Sequence, residues 1–457
     1  MAVDASGGAD SRPTVAIVLA AGQGTRMRSA LPKVLHPAAG RTLLAWVLDA
    51  AGALAPDRTV VIVGHGAEPV RQAIDAPVSV VVQEPQLGTG HAVACAVDFG
   101  ALDGFAGDVL VLAGDSPCVR PDVLAALRDH HRSTGAAATV LTFRTDRPAR
   151  YGRVVRDSGG RFLRIVEATD ASPDELAIRE CNSSMYLFDA AALVDALPRL
   201  SSDNAQGETY LPDALAVIAA AGGRVEAVPA ADESDGWGVN TRADLARVHA
   251  HLNARLLEAH MLAGAHVVDP TSTWVEHGVT LDADCRVEPF TVLRGATRVH
   301  AGAVVGPHAV VVDAVIGPGA TVGPFASLRG GSVLEEGAKA GTFVELKKTR
   351  LAAGAKAPHL SYLGDADVGE GTNVAAGNIT ANYDGTHKHR TTIGARVKTG
   401  VHTTFVAPVH IGDDAVIAAG STITHEVPPG ALGVARERQR NIEGYTARRA
   451  ERSGEAP

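Results

Sequence analysis

Cysteine is scarce in this sequence of 457 residues: Cys95, Cys118, Cys181 and Cys285 are the four, with no CxxC and no ligand-like spacing. That pattern excludes a disulfide framework or a zinc ribbon and suits a reducing compartment. Long apolar runs are missing too. The longest aliphatic stretches, such as Val15 to Ala21, fall far short of the roughly 18 residues that a spanning helix needs. Met1 to Pro13 carries two Asp and one Arg but no basic n-region, so the apolar run behind it reads as a first strand and not as a signal peptide. A soluble, cytoplasmic protein is expected. Positive charge is outweighed, with a net charge of −9, so the fold as a whole does not attract nucleic acid or an anionic membrane and phosphate binding must be local. Aromatics are only 4%.

What is present is an ordinary globular balance, 46% hydrophobic and 20% charged, with an abundance of glycine, 49 residues. The length argues for two domains, or one domain and a repeat array. The first half alternates strand-like runs (Thr14 to Ala20, Thr59 to Val63, Val78 to Gln83, Val109 to Gly114) with helical stretches (Thr42 to Ala53, Gly90 to Phe99, Arg120 to Ser133). Continuous apolar strands separated by helices predict a mostly parallel sheet covered on both faces, an α/β domain. Residues 14–240 are assigned to it, behind an N-terminal extension at 1–13. The Pro-free stretch from Thr241 to Gly264 is read as a linker helix, spanning 241–265.

From Val268 the texture changes. Aliphatics recur at a stride of six (Ile316, Val322, Leu328, Leu334; Phe405, Ile411, Ile417, Ile423), glycine often follows at once, and a small residue sits four after the aliphatic, as at Ala320, Ala326 and Ser332. This is a hexapeptide repeat, the signature of a three-sided parallel β-helix over 266–457 with a short charged tail. Few aromatics and many glycines are its natural composition. The stride breaks twice: Leu346 and Val368 are 22 residues apart, and Val374 and Ile393 are 19 apart. Both breaks are expected to be loops leaving the wall, the first holding Lys347, Lys348, His359, Ser361 and Tyr362, the second Asn382 to Gly385. Loops on a rigid scaffold are where sites are built.

At the end of the first strand stands Leu19-Ala20-Ala21-Gly22-Gln23-Gly24-Thr25-Arg26-Met27, followed by Leu31-Pro32-Lys33. Glycines let backbone N–H groups approach phosphate, and Arg26 and Lys33 supply positive charge for a departing pyrophosphate. A glycine-rich turn by itself is a weak signal, more often only a tight strand-to-helix turn than a ligand loop. Its spacing is neither the dinucleotide fingerprint nor a Walker A loop. The order resembles the G-x-G-T-R-M…P-K signature of sugar-nucleotide pyrophosphorylases. By that resemblance Leu19, Ala20, Ala21, Gly22 and Lys33 hold the nucleotide, Gln83 with Leu87-Gly88-Thr89-Gly90 reads the uracil, and Gly114 borders the site. Asp115, after an apolar strand, is either a helix cap or a metal ligand. The resemblance implies Mg²⁺ on Asp115 and Asn240, and sugar contacts from Gly152, Glu167 and Asn182.

In the second half, Phe343-Val344-Glu345-Leu346-Lys347-Lys348 and Lys356-Ala357-Pro358-His359-Leu360-Ser361-Tyr362-Leu363-Gly364-Asp365 are similar to the bifunctional acetyltransferase/uridyltransferase family of bacterial UDP-N-acetylglucosamine synthesis. The likeness runs from Val15 to Arg436. It implies a Rossmann-like nucleotidyltransferase domain, a long helix and a left-handed β-helix. It also implies a homotrimer, UTP, acetyl-CoA and amino-sugar 1-phosphates as substrates, Mg²⁺, and a role in peptidoglycan and cell-wall synthesis, with no nucleic-acid or membrane partner. Arg329, Lys347, Tyr362 and Asn373 would hold glucosamine 1-phosphate; Ala376, Asn382, Tyr383, Ala419 and Arg436 would lie along acetyl-CoA; His359 would be the general base. An amine attacking a thioester must lose a proton, and imidazole titrates near neutrality. Val401 departs from the family, which usually has serine there, so one hydrogen bond to acetyl-CoA is missing. Two rivals remain at this level: a nucleotidyltransferase whose β-helix only regulates or oligomerises, and a non-catalytic repeat scaffold.

Overall fold

The computed structural model describes residues 12–64 and 67–454, so the expected extension at 1–13 lies outside them except for Arg12 and Pro13. The chain divides into two compact units, one ending at Asn253 and the other beginning at Ala254.

The first unit is built on a sheet of nine strands: β1 (Thr14–Ala20), β2 (Arg58–Val63), β3 (Ser79–Val82), β4 (Asp108–Ala113), β5 (Ala138–Arg144), β6 (Arg153–Arg156), β7 (Phe162–Val166), β8 (Glu180–Asp189) and β9 (Val225–Pro229). Its main order is β9-β5-β8-β4-β1-β2-β3, with β6 on β8 and β7 on β6. β1 pairs in parallel with both β4 and β2, while β8 runs antiparallel to β4 and β5. The expected mostly parallel sheet is therefore interrupted by the reversed strand β8, and the side strand β7 is reversed as well. Period-two alternation explains why β1 is apolar throughout: Val15 and Ile17 join one core cluster, Ala16, Val18 and Ala20 another. Helices α1 (Leu43–Gly52), α2 (Thr89–Asp98) and α3 (Pro121–Thr134) lie close to their expected bounds. Thr42 caps α1 by accepting a hydrogen bond from Ala45 N at 3.1 Å.

Helix α4 (Arg242–Leu262) starts where Thr241 Oγ1 accepts from Asp244 N at 3.2 Å and Asp244 Oδ2 accepts from Thr241 N at 2.8 Å, a reciprocal cap. It ends at Gly264, whose φ of +102° lets Ala265 N reach His260 O at 3.0 Å.

The second unit is a left-handed parallel β-helix whose short strands fall into three main sheets of six, nine and eight, all parallel. One interior column reads Val275, Leu293, Val311, Leu328, Leu346, Leu363 in register. Small residues four after each aliphatic are buried as expected, among them Ala320, Ala326 and Ser332. Two hydroxyls inside the wall are satisfied by backbone: Thr349 Oγ1 donates to Leu363 O at 2.8 Å and Thr372 Oγ1 to Gly394 O at 2.6 Å.

The first break in the stride is not a loop. Glu345–Lys347, Arg350–Leu351, Lys356–His359, Tyr362–Gly364 and Ala366–Val368 are successive strands of the wall, with Leu346, Leu351, Ala357, Leu363 and Val368 all facing inward. Two corners are one residue shorter than the repeat. Each turns on a single residue in the left-handed region, Lys348 (φ +48°) and Asp365 (φ +49°). The second break is a true excursion over Asn382 to Arg390, pinned by a bridge between Tyr383 and Lys388 and by His389 N donating to Asn382 O at 2.8 Å.

Candidate active sites

In the first unit the chain leaves β1 through Gly22 and Gly24 into short 3-10 turns at Thr25–Met27 and Lys33–Leu35. Gly24 has φ +61°, and a Cβ there would lie 2.6 Å from Lys33 Cβ, so the missing side chain is what lets the stem of Lys33 cross the loop. Gly22 has nothing within 4 Å of where its Cβ would be, leaving backbone open to a ligand. The loop forms one wall of a cavity of about 660 Å³. Leu19, Ala20, Ala21, Gly22, Arg26, Lys33, Gln83, Gly88, Thr89, Asp115, Gly152, Glu167, Asn182 and Asn240 all line it. Gly114 lies outside that lining, as do Leu87 and Gly90 of the expected uracil loop. The Gly114 N–H donates to Leu19 O at 2.9 Å, drawing the end of β4 against β1. The cavity thus opens at the C-terminal edge of the sheet, where ligands of open α/β folds bind.

Asp115 and Asn240 converge on one cation, the Lys33 ammonium. The Lys33 ammonium forms an ion pair with Asp115 Oδ2 and lies 3.5 Å from Asn240 Oδ1, which also accepts from Arg26 Nη2 at 2.8 Å. Val239 N donates to Asp115 O at 2.9 Å and ties the two segments together. A carboxylate and an amide oxygen aimed at one positive charge form a hard donor pair suited to a small divalent cation. No group of three or more His, Cys, Asp and Glu side chains is arranged for a metal among the described residues. Sequence reading missed Arg242, at the start of α4. Its Nε donates to Met27 O at 3.3 Å and its Nη1 lies 3.2 Å from His36 Nδ1, which clamps the loop carrying Arg26 and Lys33. Burial, with Arg242 adding to it, lowers the pKa of His36.

At the far end of the cavity, Gly88 (φ +105°) has no room for a side chain, since a Cβ would fall 2.5 Å from Thr209 O. Thr89 Oγ1 accepts from Leu211 N at 3.0 Å, so this hydroxyl braces the loop as well as facing the cavity. Asn182 is buried and its amide is largely spent on Tyr186 OH (2.7 Å) and Ser184 N (3.0 Å). Glu167 differs. Burial, reinforced by Asp170 and Asp213, pushes its carboxyl up to about 7. A Cβ on Gly152 would lie 3.1 Å from Glu167 Oε1, so that glycine leaves space for the carboxyl.

On the β-helix, Arg329, Lys347 and Gly364 pair in register in successive coils of one sheet, as do Glu345 and Tyr362. Arg329 Nη1 donates to Glu345 Oε1 at 2.9 Å. A Cβ on Gly364 would strike the Tyr362 hydroxyl and fall 2.7 Å from Asn382 Nδ2, so these two polar groups meet above that glycine. Lys388, overlooked in the sequence, lies close to Lys347 and depresses its pKa. Its place in the excursion was the available signal. Asp384 organises that excursion: its carboxylate, accepting from His387 N at 2.6 Å and Thr386 N at 2.7 Å, is held far below the usual range.

His359 ends the strand Lys356–His359 and is exposed, with Thr342 its register partner; it is a wall residue at a corner, not part of a loop. Asn373 bridges Lys356 in the same wall. Ala376, Val401 and Ala419 follow one another up a single corner, since His402 N donates to Ala376 O at 2.9 Å and Gly420 N to Val401 O at 2.8 Å. Arg436 reaches the top of that column, its Cδ 3.9 Å from where a Cβ on Gly420 would lie. Asn382 and Tyr383 belong to the excursion; Tyr383 is exposed and its hydroxyl donates to Gly385 O at 2.6 Å.

Comparison with known proteins gives the family of the chain. Residues 16–300 match the MobA-like NTP transferase domain, and residues 390–425 match the bacterial transferase hexapeptide (six repeats). The chain is 47% identical over 460 residues to the bifunctional protein GlmU of Streptomyces coelicolor, covering 96% of this chain and 95% of the relative. It is 44% identical over 459 residues to that of Mycobacterium tuberculosis (95% and 92%) and 44% identical over 464 residues to that of Corynebacterium efficiens (96% and 95%). The chain belongs to the GlmU family of bifunctional enzymes, which unite a nucleotidyltransferase with a hexapeptide acetyltransferase.

Proposed function

We propose that the β-helix acetylates glucosamine 1-phosphate from acetyl-CoA and that the α/β domain transfers UMP from UTP to the resulting N-acetylglucosamine 1-phosphate, releasing pyrophosphate. The observation that carries the reading is the convergence of Arg26 and Lys33 on Asp115 and Asn240 beneath a glycine loop open to a ligand.

In uridylyl transfer a phosphate oxygen of the sugar 1-phosphate attacks the α-phosphorus and the bond to pyrophosphate breaks, so the protein's task is to position and to neutralise charge. Arg26 and Lys33 stabilise the leaving pyrophosphate. Asp115 and Asn240 suit Mg²⁺, which takes few protein oxygens and completes its shell with phosphate and water; bound there, it neutralises phosphate charge. Gln83, Gly88 and Thr89 meet the uracil and ribose. Gly152, Glu167 and Asn182 meet the sugar.

In acetyl transfer the amine attacks the thioester carbonyl, His359 takes the amine's proton, and the carbon–sulfur bond breaks to free the CoA thiolate, which is then protonated. Arg329 and Lys347, with Lys388 beside them, neutralise the sugar phosphate, while Tyr362 and Asn373 orient the sugar. Acetyl-CoA lies along Ala376, Asn382, Tyr383, Ala419 and Arg436. Exposure of Tyr383 and Arg436 supports a homotrimer in which a neighbouring copy covers the thioester. The domains are 14–240, linker 241–265 and 266–457. A cytoplasmic location follows from the substrates, and no described helix is long and apolar enough to cross a membrane. Following CoA-thiol and pyrophosphate release with each sugar phosphate tests the proposal: thiol from glucosamine 1-phosphate and pyrophosphate from its N-acetyl form are expected. Pyrophosphate release alone would favour a merely structural β-helix.

A further inference from the structure

Behind the nucleotide cavity lies a side chain that does not line it. His91, in the first turn of α2, has its Nδ1 3.1 Å from Gln83 Nε2, and the same Nε2 donates to Gly88 O at 2.9 Å. Gln83 itself is 3% exposed and lines the cavity. A carboxamide nitrogen has two hydrogens. Gly88 O, which can only accept, takes one; the other points to His91. For His91 to accept it, Nδ1 must carry a lone pair, which puts the ring proton of the neutral imidazole on Nε2. That nitrogen lies 3.8 Å from Cys95 Sγ, one turn further along α2, which can accept. The chain Cys95, His91, Gln83, Gly88 is then fully paired, and the only polar atom that Gln83 has left for a ligand is the acceptor Oε1.

We infer that His91 is a positioning residue that sets which pyrimidine is accepted: by holding the second hydrogen of the Gln83 amide, it keeps an acceptor facing the base. The inference rests on the reading that Gln83 meets the base of the nucleotide. Uracil presents an N3–H donor at the middle of its pairing edge, whereas cytosine presents a bare N3 lone pair there. An acceptor held in place satisfies the first and opposes the second, and a site built around one hydrogen bond rejects the mismatched partner strongly. Gly88 O also opposes a reversed amide, but it anchors one hydrogen only, so without His91 the amide loses one of its two anchors and offers an N–H to cytosine at a smaller cost.

The test compares kcat/KM for UTP and CTP in full-length His91→Phe, His91→Asn and Gln83→Ala, with CoA-thiol release from the β-helix and KM for N-acetylglucosamine 1-phosphate as controls for folding. Phe removes the acceptor and keeps the ring; Asn places an oxygen near the position of Nδ1. The expected result is a fall in the UTP:CTP preference of roughly tenfold to a hundredfold in His91→Phe, carried mainly by KM for the nucleotide, and recovery of most of it in His91→Asn. An unchanged preference in His91→Phe, or an equal loss in His91→Asn, would overturn the inference. Gln83→Ala separates the two levels. If it loses the preference while His91→Phe keeps it, only the role of His91 is wrong; if it keeps the parent preference, the base is read elsewhere and the inference falls with that reading.

Discussion

Gly24 and Lys33 are packed so closely that a Cβ on the glycine would lie 2.6 Å from the lysine Cβ. Nine residues apart in sequence, they fix each other: the glycine, at φ +61°, turns the loop, and the space it leaves carries the lysine stem towards Asp115. Gly24→Ala is therefore expected to displace the ammonium. Misplacement by about 1 Å costs on the order of a hundredfold, so pyrophosphate release should fall by that order while thiol release holds. Parental pyrophosphate release would show that the loop absorbs the extra methyl.

Asp115→Ala removes the carboxylate that pairs with Lys33 and leaves Asn240 as the remaining oxygen of the pair. Pyrophosphate release should be abolished and the CoA-thiol assay left near the parent rate, because the two units have separate cores. Equal loss of both activities in a folded variant would contradict the division of labour.

Glu167 links pH to stability. Its carboxyl titrates at about 7 in the folded protein against 4.5 for a freely solvated glutamate, so folding holds a proton that the unfolded chain has released. Stability falls as pH rises from about 4.5 through about 7. Without ligands, Glu167→Gln should match the parent at pH 4.5 and melt higher at pH 8, by at most about 3 kcal/mol. A difference between variant and parent that does not change with pH would rule out this ionisation.

Lys388→Ala should raise KM for glucosamine 1-phosphate by roughly tenfold, the loss expected for one hydrogen bond to a charged group, with uridylyl transfer unchanged. It should also let the Lys347 pKa, which Lys388 depresses, return upward. Unaltered KM would place the sugar phosphate away from this pair.

The strands of the sheet were legible because a run buried on both faces is apolar at every position, as in Thr14–Ala20. β8 was not, since an antiparallel insertion between parallel strands leaves the same apolar signature. The β-helix declared itself through its stride, but spacing alone could not separate a loop from two shortened corners. Lys348 and Asp365, neither of them glycine, adopt the left-handed conformation at those two corners. Arg26, Lys33, Asp115 and Asn240, singled out by motif order, line one cavity. Arg242, His91 and Lys388 escaped notice because the groups they meet, Met27 O with His36, Gln83 and Lys347, are brought to them only by folding.

The most direct test of the central claim, two chemistries on two units of one chain, is His359→Ala, with thiol and pyrophosphate release measured on the same preparation. The account predicts that acetyl transfer falls by roughly 10²- to 10⁴-fold, the contribution of a positioned general base, while uridylyl transfer from supplied N-acetylglucosamine 1-phosphate stays at the parent rate. Near-normal acetylation, or a parallel loss of both activities in folded protein, would contradict it.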